Sequence, residues 1–361
     1  MSAFDVKHVT SYQLAVLRQR KKSRECTMTD PSAFEPGVMI SQTWPLACDA
    51  EGATLSALRH VVDDGFFQAV QTVHVTGAAE RRRVAALVRE AGLRYTYTLS
   101  RLQNRHGLNL SAANRDDRMK AVRSVEAMLD DAREAGAHRA CVVSGPRPVN
   151  DQDRLGALES LKESLMYLAE SAAVHPSIEL LIEPLDYMAD KKQTLGTVNE
   201  GCALCESVEA VGHRLGLCVD TAHMVLNGER FVDQSIQDQS GIAPAFDSPN
   251  PAVRYVREFH FCNAAIEPQH PLFGDRHLQF GAPGAIHIGD LAGWLDALML
   301  FRGVETEPIL GVFCEVVNNE PSDAHSAAET YAYVRNILEA LTERPIGSRS
   351  SIELNQGRTK R

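Results

Sequence analysis

Residues 215–224 read LGLCVDTAHM. An apolar run of the kind a buried strand uses stops at Asp220, and His223 follows three residues later. Both side chains resist burial unless something pairs with them. A hydrophobic strand that ends this way raises the question of what the neighbouring units bring to the same place.

The same form recurs on both sides. Strand candidates are GVMISQ (37–42), FFQAVQTVHV (66–75), LRYTYTL (93–99), RACVVSG (139–145), IELLIEP (178–184), LGLCVD (215–220), REFHFCN (257–263) and ILGVFCEV (309–316). Between them lie amphipathic stretches such as TLSALRHVVDDG, AERRRVAALVREAG, RMKAVRSVEAMLDDAREAGA and RLGALESLKESLMYLAESAA, with apolar residues at three and four spacing. Several end in Gly just before the next strand, as a helix C-terminus does. Eight strands, each followed by a helical pattern, predict an α/β fold of the (β/α)8 TIM-barrel type over 36–343. A doubly wound open sheet would place a Gly-rich phosphate loop after its first strand, and SQTWPLACDAEGATL has none of that form. Residues 1–35 read as an N-terminal extension and 344–361 as a polar tail. Long connections at 225–251 and 264–286 are candidates for a lid over the strand ends.

Four successive strands carry an acid or histidine near the C-terminal end: Glu183 in LLIEP, Asp220 in LCVDT, His260 in EFHFC and Glu315 in VFCEV. They lie 37, 40 and 55 residues apart, about one βα unit each with one longer loop. Singly, a strand-end acid is often an ion pair or a helix cap. As a set on a barrel they converge at one rim, where three carboxylates and an imidazole cannot all stay ionised in a low-dielectric site without a cation. A divalent metal resolves this. The donor set suits a hard to borderline ion: Mn2+ is the first expectation, and Mg2+, Co2+ and Zn2+ are open alternatives.

Composition limits the partners. Of 361 residues, 47 are acidic and 37 basic, a formal net charge of −10 that repels a polyanion, so nucleic acid is not an expected partner. No window approaches the roughly 18 apolar residues of a membrane span, and the opening segment lacks a signal-peptide core, so a cytoplasmic location is expected. Eight cysteines, four of them (Cys141, Cys218, Cys262 and Cys314) inside strand-like runs, read as buried hydrophobes of a reducing compartment. The basic cluster Arg18, Arg20, Lys21, Lys22 and Arg24 reads as a solvated tail.

The segments IEPLDYMADKKQTLGTVNEGCAL, LGLCVDTAHM, EFHFCNA and FCEV, in this order and spacing, resemble the xylose-isomerase-like barrel superfamily of sugar-phosphate isomerases and epimerases, also called the AP-endonuclease-2 family. The likeness runs from about residue 175 to 320 and is only architectural before that. It implies that Glu183, Asp220, His260 and Glu315 are metal ligands, that Glu183 and Glu315 double as the catalytic acid and base, and that His223 contacts a substrate oxygen. In GDRHLQFGAPG, Asp275 and His277 are similar to second-metal ligands that act with the histidine matching His223, while Arg276 is similar to a substrate-binding arginine of the epimerases. A polar loop without a ligand role is the third option there.

The resemblance has departures. Where tagatose-type epimerases carry a second Glu six residues after the strand-five ligand, this chain has Ala189, with Asp190 beside it. Cys262 and Asn263 stand where Lys or Ser and Asp often follow. The strand-three and strand-four histidines of a three-zinc endonuclease are missing, which argues against DNA cleavage. His74 at the end of strand two and Trp44 after strand one are candidate pocket residues, each with an ordinary packing role as the alternative. CALC at 202–205 has no second Cys pair, so zinc binding there is not favoured.

The expected activity is a divalent-metal-dependent isomerase or epimerase of a sugar, keto-sugar or cyclitol. It would move a proton next to a carbonyl through an enediolate that the metal stabilises. A lyase or dehydratase of the inosose-dehydratase type, or one that cleaves a keto-glycoside, is the alternative, and a barrel that binds a ligand without turnover is the second. The expected partner is a small carbohydrate or cyclitol, with no membrane; a homo-oligomer and a second metal are left open.

Overall fold

In the computed structural model the described residues are 34–48, 51–174, 177–230, 243–244, 251–302, 310–317 and 324–343. Eight short runs rich in β-branched and apolar side chains are buried on both faces, which is what parallel strands covered by helices require. They are β1 (Phe34–Met39), β2 (Ala69–Thr72), β3 (Arg94–Thr98), β4 (Arg139–Val143), β5 (Glu179–Glu183), β6 (Gly216–Asp220), β7 (Val256–Phe261) and β8 (Leu310–Cys314). Each pairs in parallel with its neighbours, and β1 pairs with β8, so the ring closes as the predicted barrel.

Helices follow the strands with the expected periodicity and chemically defined ends. Asn114 accepts from the backbone N–H groups of Asp116 and Asp117 at the start of helix Arg115–Glu134, and Thr197 with Glu200 forms a capping box on helix Val198–Glu209. Gly65 and Gly92 close helices Ala53–Asp64 and Ala78–Ala91 in the left-handed conformation. No helix among the described residues is long and apolar enough to cross a membrane.

Strand register decides what faces the barrel axis. Val143 pairs with Glu183, Asp220 with His260, and Phe313 with His260, so these side chains share the inner face. Cys141, Leu181 and Cys218 fill the layer beneath. Gly37 pairs with Phe313, and a methyl group on Gly37 would be driven into the Phe313 ring. The ring occupies space that only glycine leaves open.

Two strands differ most from the sequence reading, the others by one or two residues at an end. The first strand runs from Phe34 to Met39, not 37–42, because Phe34 to Val38 pair with Leu310 to Cys314 and Ile40–Thr43 turns into a short helix. The second is confined to Ala69–Thr72, so His74 lies past its end. The connection at 264–286 is not a plain loop: Asn263–Ala265 and Gly274–Leu278 form an antiparallel ribbon. Asn263 stitches it together, donating from its amide to the carbonyls of Gln279, Gly281 and Ile286. Of the second candidate lid stretch, residues 231–242 and 245–250 lie outside the described residues, as do the basic cluster at 18–24 and the tail.

Candidate metal centre

The four strand-end residues meet at the C-terminal rim. Glu183, Asp220 and His223 place one ligand-capable atom each within 4.8 Å of one another, and Asp220, His260 and Glu315 do the same. Asp220 belongs to both groups and joins them. It also caps helix Thr221–Leu226: its Oδ1 accepts from the backbone N–H of Ala222 at 2.6 Å and of His223 at 3.4 Å, which leaves Oδ2 for the site. The abrupt end of LGLCVD is therefore a helix cap and a ligand-capable oxygen in one side chain.

The two glutamates have unequal surroundings. Glu315 Oε1 accepts from Gln42 Nε2 at 2.8 Å and lies 2.8 Å from His277 Nε2; its Oε2 faces His260 Nδ1 at 3.2 Å. Among the described residues nothing hydrogen-bonds to the Glu183 carboxylate, and the residue stands partly open at the barrel mouth. His260 turns its other nitrogen, Nε2, toward buried Glu258 at 3.5 Å and Cys218 Sγ at 3.4 Å. Glu258 in turn pairs with the fully buried Arg139 and with Thr96 at the foot of the barrel.

A second layer surrounds His223. Its Nδ1 lies 3.2 Å from Asp186 Oδ2, and its Nε2 lies 3.7 Å from Asp275 Oδ2. Along the ribbon strand, Asp275 and His277 face the site, with Asp275 Oδ1 3.6 Å from His277 Nε2 and Cys262 Sγ adding a third donor type. Arg276, between them, is exposed on the opposite side. Lys191 Nζ is 3.3 Å from Asp275 Oδ2.

Burial raises Glu183 to about 7 and Asp220 to about 8, with neighbouring carboxylates adding to the shift. Burial opposes charge on His223, but Asp275, the bond to Asp186, and Asp220 outweigh it and lift it to about 10. Desolvation likewise opposes charge on His277, yet Asp275 and Glu315 raise it to about 9. Asp186 is held near 2 against the cost of burial by His223 and by the N–H groups of Lys191 and Asp190. Two acids pushed toward neutrality beside imidazoles are what such a cluster shows without a cation. A set of three carboxylates and one imidazole fits a divalent ion.

Other candidates fall elsewhere. His74 Nδ1 lies 3.3 Å from the Tyr97 hydroxyl, and Trp44 packs its indole against His60 and Tyr331. Cys202 and Cys205 are free thiols buried on helix Val198–Glu209. Sequence reading missed Gln42, Asp186, Lys191 and Glu258. Glu258 could have been flagged, since an acid two residues before His260 in a buried strand faces the same way; the others come from loops and short helical turns whose placement is tertiary.

Residues 58–322 match the model of the xylose isomerase-like TIM barrel family. No curated protein matches the sequence. Among solved structures, IolI protein with a bound zinc atom has a TM-score of 0.61 at 11% identity, covering 87% of this chain and 100% of that one. D-psicose 3-epimerase from Clostridium cellulolyticum H10 gives 0.58 at 14%, covering 86% and 98%. The 3-keto-D-glucoside 4-epimerase from E. coli gives 0.53 at 15%, covering 86% and 100%. At such identities the likeness establishes the fold.

Proposed function

This chain belongs to the xylose isomerase-like TIM barrel family, and from that footing we propose that it is a divalent-metal-dependent isomerase or epimerase of a sugar, keto-sugar or cyclitol. The observation that carries this reading is the convergence of Glu183, Asp220, His260 and Glu315 on one rim, joined through Asp220. Those four residues would hold the ion. When bound, it would supply positive charge beside the substrate carbonyl and so favour loss of a proton from the adjacent carbon.

The protein's own groups then divide the proton traffic. Glu315, whose Oε1 accepts from Gln42 and whose two oxygens face the His277 and His260 imidazoles, stays ionised and takes the proton from carbon. Glu183, free of such bonds and pushed to about 7 chiefly by burial, holds a proton near neutrality and returns it. Opposed environments for two carboxylates are the usual mark of an acid and base pair. Delivery to the opposite face of the same carbon inverts it, and delivery to the neighbouring carbon isomerises. His223, oriented by Asp186, presents Nε2 toward the mouth for a substrate oxygen.

A panel of ketoses, keto-inositols and 3-keto-glycosides, incubated with the Mn2+-loaded protein in D2O and read by NMR, tests the proposal. Deuterium should enter next to the carbonyl of at least one class. A product 18 mass units below its substrate would move the assignment to dehydration. Absence of any near-stoichiometric divalent ion would remove the basis of the mechanism.

A further inference from the structure

Lys191 Nζ lies 3.3 Å from Asp275 Oδ2 and 3.2 Å from Asp190 Oδ2. The space around Asp275 is otherwise furnished for a cation: Cys262, Asp275 and His277 bring ligand-capable atoms within 4.8 Å of one another, and His223 Nε2 reaches the same carboxylate at 3.7 Å. We infer that the Lys191 ammonium group holds the place of a second cation beside Asp275, so that the site takes one divalent ion per chain. The inference rests on the metal centre proposed above.

The lysine is placed by construction. Its backbone N–H donates to Asp186 Oδ1 at 2.9 Å and Oδ2 at 3.1 Å, and the same carboxylate receives His223 Nδ1. Asp186, fully buried, thus fixes the lysine backbone and the imidazole together. Asp190 Oδ2 accepts the N–H of Asp275, which ties the lysine loop to the ribbon. That approach depends on Gly274, where φ is +96° and an added Cβ would lie 2.7 Å from Asp190 Cγ. Loop and ribbon therefore close around Nζ through contacts of their own backbone and carboxylates.

The contrast with the main centre sharpens the point. Among the described residues no lysine or arginine pairs with Glu183, Asp220 or Glu315, so the charge there has to be balanced by imidazoles, protons or an added cation. At Asp275 the chain brings its own positive charge: Lys191 Nζ sits on Oδ2 while Cys262 Sγ and His277 Nε2 face Oδ1, so a divalent ion held by that carboxylate would meet strong like-charge repulsion. Lys191 is about one-third exposed, and its head group can leave only by breaking both carboxylate contacts.

The test counts ions. Full-length protein stripped with a chelator is titrated with Mn2+, and bound metal is measured by calorimetry and by elemental analysis after desalting. Wild type should saturate at one ion per chain, Lys191→Arg also at one, and Lys191→Met at two. Adding His277→Ala to Lys191→Met should return the count to one. Lys191→Gln serves as the neutral variant if Lys191→Met does not fold by circular dichroism. Two ions in wild type would overturn the inference while leaving the metal-dependent reading intact, and a single ion in the folded neutral variant would overturn it as well. No ion bound to any form would remove the metal centre itself and this inference with it.

Discussion

His223 Nδ1 and Asp186 Oδ2 face each other across 3.2 Å, both almost fully buried. The pair connects the strand-six signature to the loop after β5, and it fixes which imidazole nitrogen looks into the site. Removing one partner of a buried pair leaves the other uncompensated, so Asp186→Asn should cost about 3 kcal/mol near pH 6. The pH window follows from the shifts. Asp186 is depressed to about 2, so its stabilisation is present above the ordinary carboxylate value near 4 and fades as pH falls toward 2. His223 is raised to about 10, so its share is full below about 6.5 and is lost as pH rises through 10. Denaturant melts of wild type and Asp186→Asn should differ most between these limits and converge toward pH 10.

Metal-free protein should lose stability as pH rises from about 4 to 8. Glu183 and Asp220 are raised to about 7 and about 8, so in that range the folded chain binds more protons than the unfolded one, and stability falls with pH. The raised histidines, His223 and His277, push the same way above about 6.5. An ion at the proposed centre would replace those protons, so Mn2+ should raise the melting temperature more at pH 8 than at pH 5. Equal shifts at the two pH values would contradict a cluster made to exchange protons for a cation.

Glu315→Gln keeps the shape of the side chain but cannot accept a proton. Turnover should fall by a factor on the order of 10^2 to 10^4, the usual contribution of general base catalysis, in a chain that keeps the circular dichroism of the folded barrel. Activity within threefold of wild type would mean that the base has been misassigned.

Gly37→Ala should destabilise the barrel by about 1 to 3 kcal/mol, because the new methyl group is forced into the Phe313 ring on the adjacent strand. Urea denaturation measures this directly. A combined Gly37→Ala, Phe313→Leu variant should recover part of the loss by reopening that space.

The barrel was legible because apolar strand runs alternate with amphipathic helical ones along the chain, and the last four strands end in residues that burial alone cannot justify, recurring at about one βα spacing. Glu183, Asp220, His260 and Glu315 needed nothing but register to find one another. Gln42, Asp186 and Lys191 gave no such sign: a short turn after β1 and a loop after β5 carry them, and only tertiary closure brings them against Glu315, His223 and Asp275. The ribbon shows the same limit from the other side. DRH was recognisable as a polar motif, but its alternation, with Asp275 and His277 facing in and Arg276 facing out, follows from strand pairing with Asn263–Ala265 that periodicity over so few residues does not reveal. Asp190, beside the position where tagatose-type epimerases carry a second Glu, has its carboxylate engaged by the ribbon backbone and Lys191.

The most direct test of metal-dependent proton transfer is deuterium incorporation from D2O into the carbon beside the carbonyl of a substrate, followed by NMR for wild type, Glu183→Gln and Glu315→Gln, each with Mn2+ and after chelation. Exchange should appear with Mn2+-loaded wild type and disappear on chelation and in both variants. Exchange that persists undiminished in the two variants, or in protein stripped of metal, would contradict the mechanism.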